Sequence, residues 1–160
     1  MVPATRSRRV FVVHGQNEAA REKVARFLEH LDLKPVILHE EANKGLTIIE
    51  KFEAEADAAF AVVLLTADDV GGRAPIDRAD LKPRARQNVI FELGFFLAKL
   101  GRQRVCALRE EGVEIPSDYA AVIYVELDPP AAWKLALAKE LQAAGLSVDL
   151  NKLSRADHTT

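Results

Sequence analysis

A single cysteine, Cys106, rules out an intramolecular disulfide. Its place inside the apolar run Val105-Cys106-Ala107-Leu108 suits a buried structural thiol better than a nucleophile. A reducing compartment, the cytoplasm, is the expected setting. The sequence contains no G-x-G-x-x-G, no phosphate-loop G-x-x-x-x-G-K and no G-x-S-x-G nucleophile elbow, which removes the commonest dinucleotide, triphosphate and serine-hydrolase motifs. The four histidines, His14, His30, His39 and His158, are scattered. No Cys/His set stands at metal-ligand spacing, so neither a metal nor a bound cofactor is expected. Long apolar runs are missing too. The longest, Ala58 to Leu65, is far too short to cross a bilayer, and the basic start through Arg6, Arg8 and Arg9 lacks the apolar core of a signal peptide. A formal net charge of -2 leaves no electrostatic footprint for nucleic acid or an anionic membrane.

What is present is an alternation of strands and helices. With 160 residues, 49% of them hydrophobic, the chain is long enough to bury one substantial core. We expect one domain over residues 9–153, with short flexible segments at 1–8 and 154–160. Arg9-Val10-Phe11-Val12-Val13 reads as a buried strand that breaks at His14-Gly15, and a helix from Asn17 or Glu18 to about His30 carries Val24, Phe27, Leu28 and Leu31 at helical spacing. Lys34 to Leu38 gives a second strand. After the loop His39 to Gly45, a helix opens at Thr47 with Glu50 three residues on, the spacing of a capping box. The run Phe60 to Leu65 is apolar at every position, as expected of a central strand covered on both faces.

Beyond it, Thr66 to Ala85 reads as a long loop, functional or mobile by its length. A third helix follows from Arg86 or Gln87 to Leu100. Strands at Arg104–Leu108 and Val122–Glu126, and a helix from Ala131 to Ala144 stopped by Gly145, complete the chain. Right-handed crossovers then imply an α/β, doubly wound, parallel five-stranded sheet in the order 2-1-3-4-5. Ligands in such sheets bind at the carboxyl ends of the strands flanking the reversal of winding. That crevice is ringed by His14-Gly15-Gln16, by Thr66-Ala67-Asp68-Asp69 and by the start of the third helix.

Each candidate residue there admits two readings. His14 serves as pocket wall or catalyst, and Gly15 permits a tight turn or close ligand approach. Asp68 and Asp69 cap a loop turn or bind ribose hydroxyls. Arg84 and Arg86 are surface charges or a phosphate clamp. The third helix is apolar almost all round and expected to be buried. Its exceptions, Asn88, Glu92 and Lys99, either mark a thin solvated stripe or place Glu92 in the crevice, where partial burial raises its pKa for acid, base or electrostatic work.

The segments Val10-Phe11-Val12-Val13-His14-Gly15, Leu64-Leu65-Thr66-Ala67-Asp68-Asp69-Val70-Gly71 and above all Arg84-Ala85-Arg86-Gln87-Asn88-Val89-Ile90-Phe91-Glu92-Leu93-Gly94 resemble the bacterial TIR-like domains described as nucleotide-binding. The resemblance spans about Arg9 to Leu153. It implies a flavodoxin-like TIR sheet, a catalytic Glu92, and His14, Gly15, Asp68 and Asp69 along a nucleotide pocket, to which Arg84, Arg86 and Asn88 are added as substrate-binding candidates. Relatives of this type are fused to STING or other cyclic-nucleotide sensors in antiphage systems, where the TIR part destroys NAD+. The resemblance therefore implies an NAD+ glycohydrolase, with hydrolysis or cyclic ADP-ribose formation left open. It also implies self-association through TIR–TIR contacts, with the His39–Gly45 loop and its Glu40, Glu41 and Lys44 at the position such assemblies use. A sensor domain or protein responding to a cyclic nucleotide would be the trigger. Two other activities stay open: a non-catalytic TIR scaffold that binds nucleotide, and an enzyme like nucleoside deoxyribosyltransferases.

Overall fold

Strand and helix alternate as the apolar periodicity requires. The computed structural model describes residues 7–37, 47–54, 58–119 and 124–158. The main sheet holds β1 (Arg9–Val13), β2 (Lys34–Ile37), β3 (Phe60–Leu65), β6 (Val105–Arg109) and β7 (Tyr124–Glu126). All its pairings are parallel, in the spatial order β2-β1-β3-β6-β7. This is the expected doubly wound, flavodoxin-like order, with the winding reversed between β1 and β3. Register follows from burial: Val10 pairs with Phe60 and Val12 with Val62, so alternate side chains of neighbouring strands enter the same layer.

Two cores result, one on each face. Val10, Val12, Phe60, Val62 and Leu64 face α1 (Glu18–His30) and α4 (Ala132–Ala143), where Phe27 and Trp133 meet edge to face at 5.2 Å between ring centres. Phe11, Val13, Ala61, Val63 and Leu65 face α2 (Ile48–Ala54) and α3 (Gln87–Leu100). Every residue of β3 is buried, because this strand has a helical layer on both sides. Local signals end the elements as the sequence indicates. Asn17 accepts from the Ala20 amide at the start of α1. Thr47 and Glu50 exchange the two bonds of a capping box before α2. Gly145, at φ 90°, closes α4, with the Leu146 amide donating to the Leu141 carbonyl.

The long loop after β3 departs from the expectation. Residues Asp69–Gly71 (β4) and Lys82–Arg84 (β5) pair as an antiparallel ribbon, with Arg78–Asp80 in a 3₁₀ turn between them. Three-residue strands, one with Pro83 at its centre, are too short for alternation to show, and only their mutual pairing makes them strands. β6 begins at Val105 because Arg104 ends a 3₁₀ turn, its guanidinium donating to the carbonyls of Ala58 and Ala59. The 3₁₀ segment Leu150–His158 runs across the boundary expected at 153. The expected loop with Glu40, Glu41 and Lys44, the residues Leu38, Val122 and Ile123 expected to extend strands, and the terminal residues 1–6 and 159–160 lie outside the described residues. Among the described residues no helix is long and apolar enough to cross a membrane.

Candidate active site

The reversal between β1 and β3 leaves a gap at their carboxyl ends, and Asp68 ties that gap together. Its Oδ1 accepts from the Gln16 amide at 3.0 Å and from the Thr66 hydroxyl at 2.7 Å, while Oδ2 accepts from the Arg86 amide at 3.5 Å. One carboxylate thus joins the loop after β1, the loop after β3 and the N-terminus of α3. Such a carboxylate beside the first amides of a helix also complements the helix dipole. Gly15 is glycine because of it: a Cβ at this position would overlap the Asp68 carboxylate. His14, at the end of β1, is 7% exposed, with Nδ1 2.9 Å from the Gly15 carbonyl. A carbonyl only accepts, so in this contact Nδ1 carries the proton.

Glu92 lies on α3 and is 6% exposed, in a helix whose other buried side chains are Val89, Leu93 and Phe96. Burial pushes its carboxyl up from 4.5 to about 7, and the positive charges of Lys51 on α2 and of Arg86 pull the other way. The solvated stripe of Asn88, Glu92 and Lys99 does not form: Asn88 and Lys99 are exposed while Glu92 is buried. Nor is α3 buried all round, since Phe91 is 63% exposed. Periodicity identifies the odd residue of a face but not which face the sheet covers.

The remaining candidates separate into two groups. Arg86, exposed at the N-cap position of α3, shares the Asp68 tie and acts on Glu92. Asp69 and Arg84 belong instead to the β4–β5 ribbon, directly opposite each other in register. There they line an open groove of about 560 Å³ with Ala67, Asp68, Val70 and Pro83. Lys51 was not a sequence candidate, because nothing in the spacing of α2 reveals that it faces α3. Gly71, over which Arg84 lies, carried a weak signal in the pair Gly71-Gly72. Cys106 is buried in β6, its thiol pushed up to about 12 by burial and the Glu140 charge, and takes no part in the site. Among the described residues no three His, Cys, Asp or Glu side chains come together in a metal-holding group.

A doubly wound parallel sheet with an aspartate-tied crevice at its reversal and a buried carboxylate on the adjoining helix defines a flavodoxin-like α/β domain. The family model described as "CAP12/Pycsar effector protein, TIR domain" matches residues 9–129, and the chain belongs to that family. It is 48% identical over 147 residues to the protein YuaY of Escherichia coli K12, covering 91% of this chain and 48% of that one. It is 34% identical over 126 residues to protein tirC of Dictyostelium discoideum, covering 73% of this chain and 63% of that one. The Pycsar effector protein BcPycTIR of Burkholderia cepacia is 42% identical over 83 residues, 51% of this chain and 25% of that protein. The chain thus spans from a quarter to under two thirds of the length of these relatives.

Proposed function

We propose that this domain is an NAD+ glycohydrolase and the TIR effector part of an antiphage defence system. The observation that carries the reading is Glu92, a buried carboxylate on the helix beside the crevice, raised to about 7. Near neutral pH such a group is substantially ionised yet poorly hydrated, the state in which a carboxylate best stabilises a developing cation.

The chemistry needs little apparatus. Nicotinamide in NAD+ is already a cationic leaving group. When the bond from ribose C1′ to the ring nitrogen breaks, its electron pair returns to the ring and nicotinamide departs neutral. The ribose is left as an oxocarbenium-like cation. Glu92 holds the ribose hydroxyls and faces that charge, a contribution of about 3 kcal/mol for a well-placed group of this kind. A water oxygen then bonds to C1′, its proton passes to solvent, and ADP-ribose results. Capture of C1′ by an adenine nitrogen gives a cyclic product instead. Asp68 and Gly15 keep the two strand-end loops in register with α3, and His14 and Asn88 line the approach.

The family match and the relatives named Pycsar effectors support placing the activity in defence. A trigger that responds to a cyclic nucleotide, as a further domain or a separate protein, accords with the greater length of those relatives. We further assign activation to clustering of the domain through TIR–TIR contacts, in the cytoplasm.

Nicotinamide release from NAD+ is the test, followed across a concentration series and on a crowding surface, beside Glu92→Ala and Glu92→Gln. Release that rises per protomer with clustering and disappears in both variants, with circular dichroism unchanged, is the expected result. No release in any clustered state would refute the enzyme and leave the nucleotide-binding scaffold. Deoxynucleosides run as parallel substrates separate the deoxyribosyltransferase chemistry.

A further inference from the structure

The covering of α2 runs against the chemistry of its side chains. On this helix of 7 residues Ile49 is 44% exposed, and Glu50, Glu53 and Ala54 are exposed with it, whereas Lys51 and Phe52 are half-buried. Hydrophobic burial alone would turn the isoleucine inward and leave the lysine in water. Phe52 sets the orientation instead. Its ring centre lies 5.4 Å from that of Phe95 and 5.7 Å from that of Phe96, both on α3, and 5.7 Å from that of Phe11 on β1. The Thr47/Glu50 capping box fixes the start of the helix, and the Lys51 amide donates to the Thr47 carbonyl at 3.0 Å. Lys51 is therefore held on the side of α2 that meets α3. Phe95 and Phe96 follow Glu92 by three and four residues, so the two helices touch one turn from Glu92. Glu92 itself stands in the covered stripe Val89, Glu92, Leu93 and Phe96, and no other carboxylate among the described residues is buried.

We propose that Lys51 is a positioning residue for the reaction at Glu92, and that α2 serves the site by bringing this ammonium to its buried carboxylate. The proposal rests on the glycohydrolase reading for the reaction itself. A carboxyl on a covered helix face tends to keep its proton, and a protonated carboxyl offers an oxocarbenium-like centre no charge to face. A cation on the opposing helix offsets the lost hydration and favours the charged form. Of the charges acting on Glu92, that of Lys51 pulls the carboxyl down hardest, ahead of Arg86. The other ionisable groups around α3 are engaged elsewhere or stand apart. On α2, Glu50 closes the capping box and Glu53 is exposed. β3 has no titratable side chain, and β1 has Arg9 at its amino end, with His14 beyond its carboxyl end facing the Gly15 carbonyl. On β6, Arg109 pairs with Glu126 and Cys106 belongs to the opposite core. Arg104 donates to the Ala58 and Ala59 carbonyls, and Lys99 and Arg102 are exposed toward the far end of α3. Tyr119 and Tyr124 pack on the same core as Glu92's helix, Tyr119 at Gly94. Arg86 is exposed six residues before Glu92, about 9 Å along the helix axis.

Two readouts on the whole chain test this, with the wild type beside Lys51→Met, Lys51→Arg and Lys99→Met. The first is the titration midpoint of the Glu92 side-chain carboxyl, followed by carbon NMR and assigned by comparison with Glu92→Gln. The second is the pH profile of kcat/KM for nicotinamide release. Lys51→Met should raise the midpoint by about one pH unit or more, and Lys51→Arg should hold it within about 0.3 of the wild type. Lys99→Met removes the same charge from an exposed position on α3 and should leave the midpoint where it is. At pH 6 the activity of Lys51→Met should fall about tenfold and at pH 9 return to within about twofold of the wild type, with Lys51→Arg following the wild type throughout. Melting curves verify that each variant folds. A midpoint that Lys51→Met moves by less than about 0.3, or an activity loss as large at pH 9 as at pH 6, overturns the proposal. Equal losses in Lys51→Met and Lys51→Arg overturn it too, since they mark a merely structural role. The two readings fail separately. A midpoint that moves as expected, with no nicotinamide release by any of these proteins, refutes the enzyme and leaves the coupling of Lys51 to Glu92 standing. Release by a protein whose midpoint ignores Lys51→Met refutes the role of Lys51 alone.

Discussion

Replacing Glu92 by glutamine should stabilise the fold above neutral pH while abolishing the proposed activity, and the pH dependence of that gain is the diagnostic part. Burial raises the Glu92 carboxyl from 4.5 to about 7. The native state therefore retains a proton that the unfolded chain releases over that interval. The resulting stabilisation is complete below about 4.5 and is lost as the pH rises through about 7. At about 1.4 kcal/mol per pH unit, the ionised, buried carboxylate at pH 8 costs the fold at most about 3 kcal/mol. Residual hydration and the fields of Lys51 and Arg86 are already part of that balance. Glutamine keeps the shape and removes the charge. In a chain of this size each kcal/mol moves Tm by about 2–4 °C, so Glu92→Gln should melt above the wild type at pH 8 by up to roughly 6–12 °C. The difference should shrink toward zero by about pH 5. Thermal melts followed by circular dichroism from pH 5 to 8.5 provide the assay. A variant less stable than the wild type at pH 8, or a gap independent of pH, would mean that the carboxylate is a satisfied structural group.

The same titration sets the activity profile: with ionised Glu92 as the working form, kcat/KM for nicotinamide release should fall about tenfold per pH unit below about 7 and level off above it. A profile flat from pH 5.5 to 8 would contradict this. Asp68→Ala strips the acceptor from the Gln16 amide and the Thr66 hydroxyl and should cost about 1–3 kcal/mol in denaturant unfolding. Gly15→Ala should be comparably harmful through overlap with the same carboxylate, and the double variant should be less destabilised than the two losses added; strict additivity would show that the two residues do not meet. Cys106 should react with a thiol reagent only on unfolding, since its thiol is buried and pushed up to about 12. Rapid labelling of the native protein would falsify that placement.

Much of the fold was legible because its signals are local. An uninterrupted apolar run marks β3, Asn17 and the Thr47/Glu50 pair mark helix starts, and Gly145 marks a stop; each depends on residues within one turn of one another. The alternation of these elements leaves few topologies open once crossovers must be right-handed, so the strand order followed as well. The candidate site was legible as a neighbourhood, the loops at the reversal of winding, rather than as an arrangement.

What the amino-acid order alone determined is therefore the class of fold, the end of the sheet at which the candidate residues lie, and Glu92 as the odd residue of an apolar helix. Tertiary structure decided the rest. Only packing shows that Glu92 is covered while Asn88 and Lys99 stay in water, because a helix's period does not say which face meets the sheet. The pairing of β4 with β5, Asp68 holding the loop after β1 to the start of α3, and Arg84 lying over Gly71 join residues from 11 to 52 positions apart. Contacts at that separation leave no periodic trace in the sequence, since they form only when the whole chain has closed around its two cores.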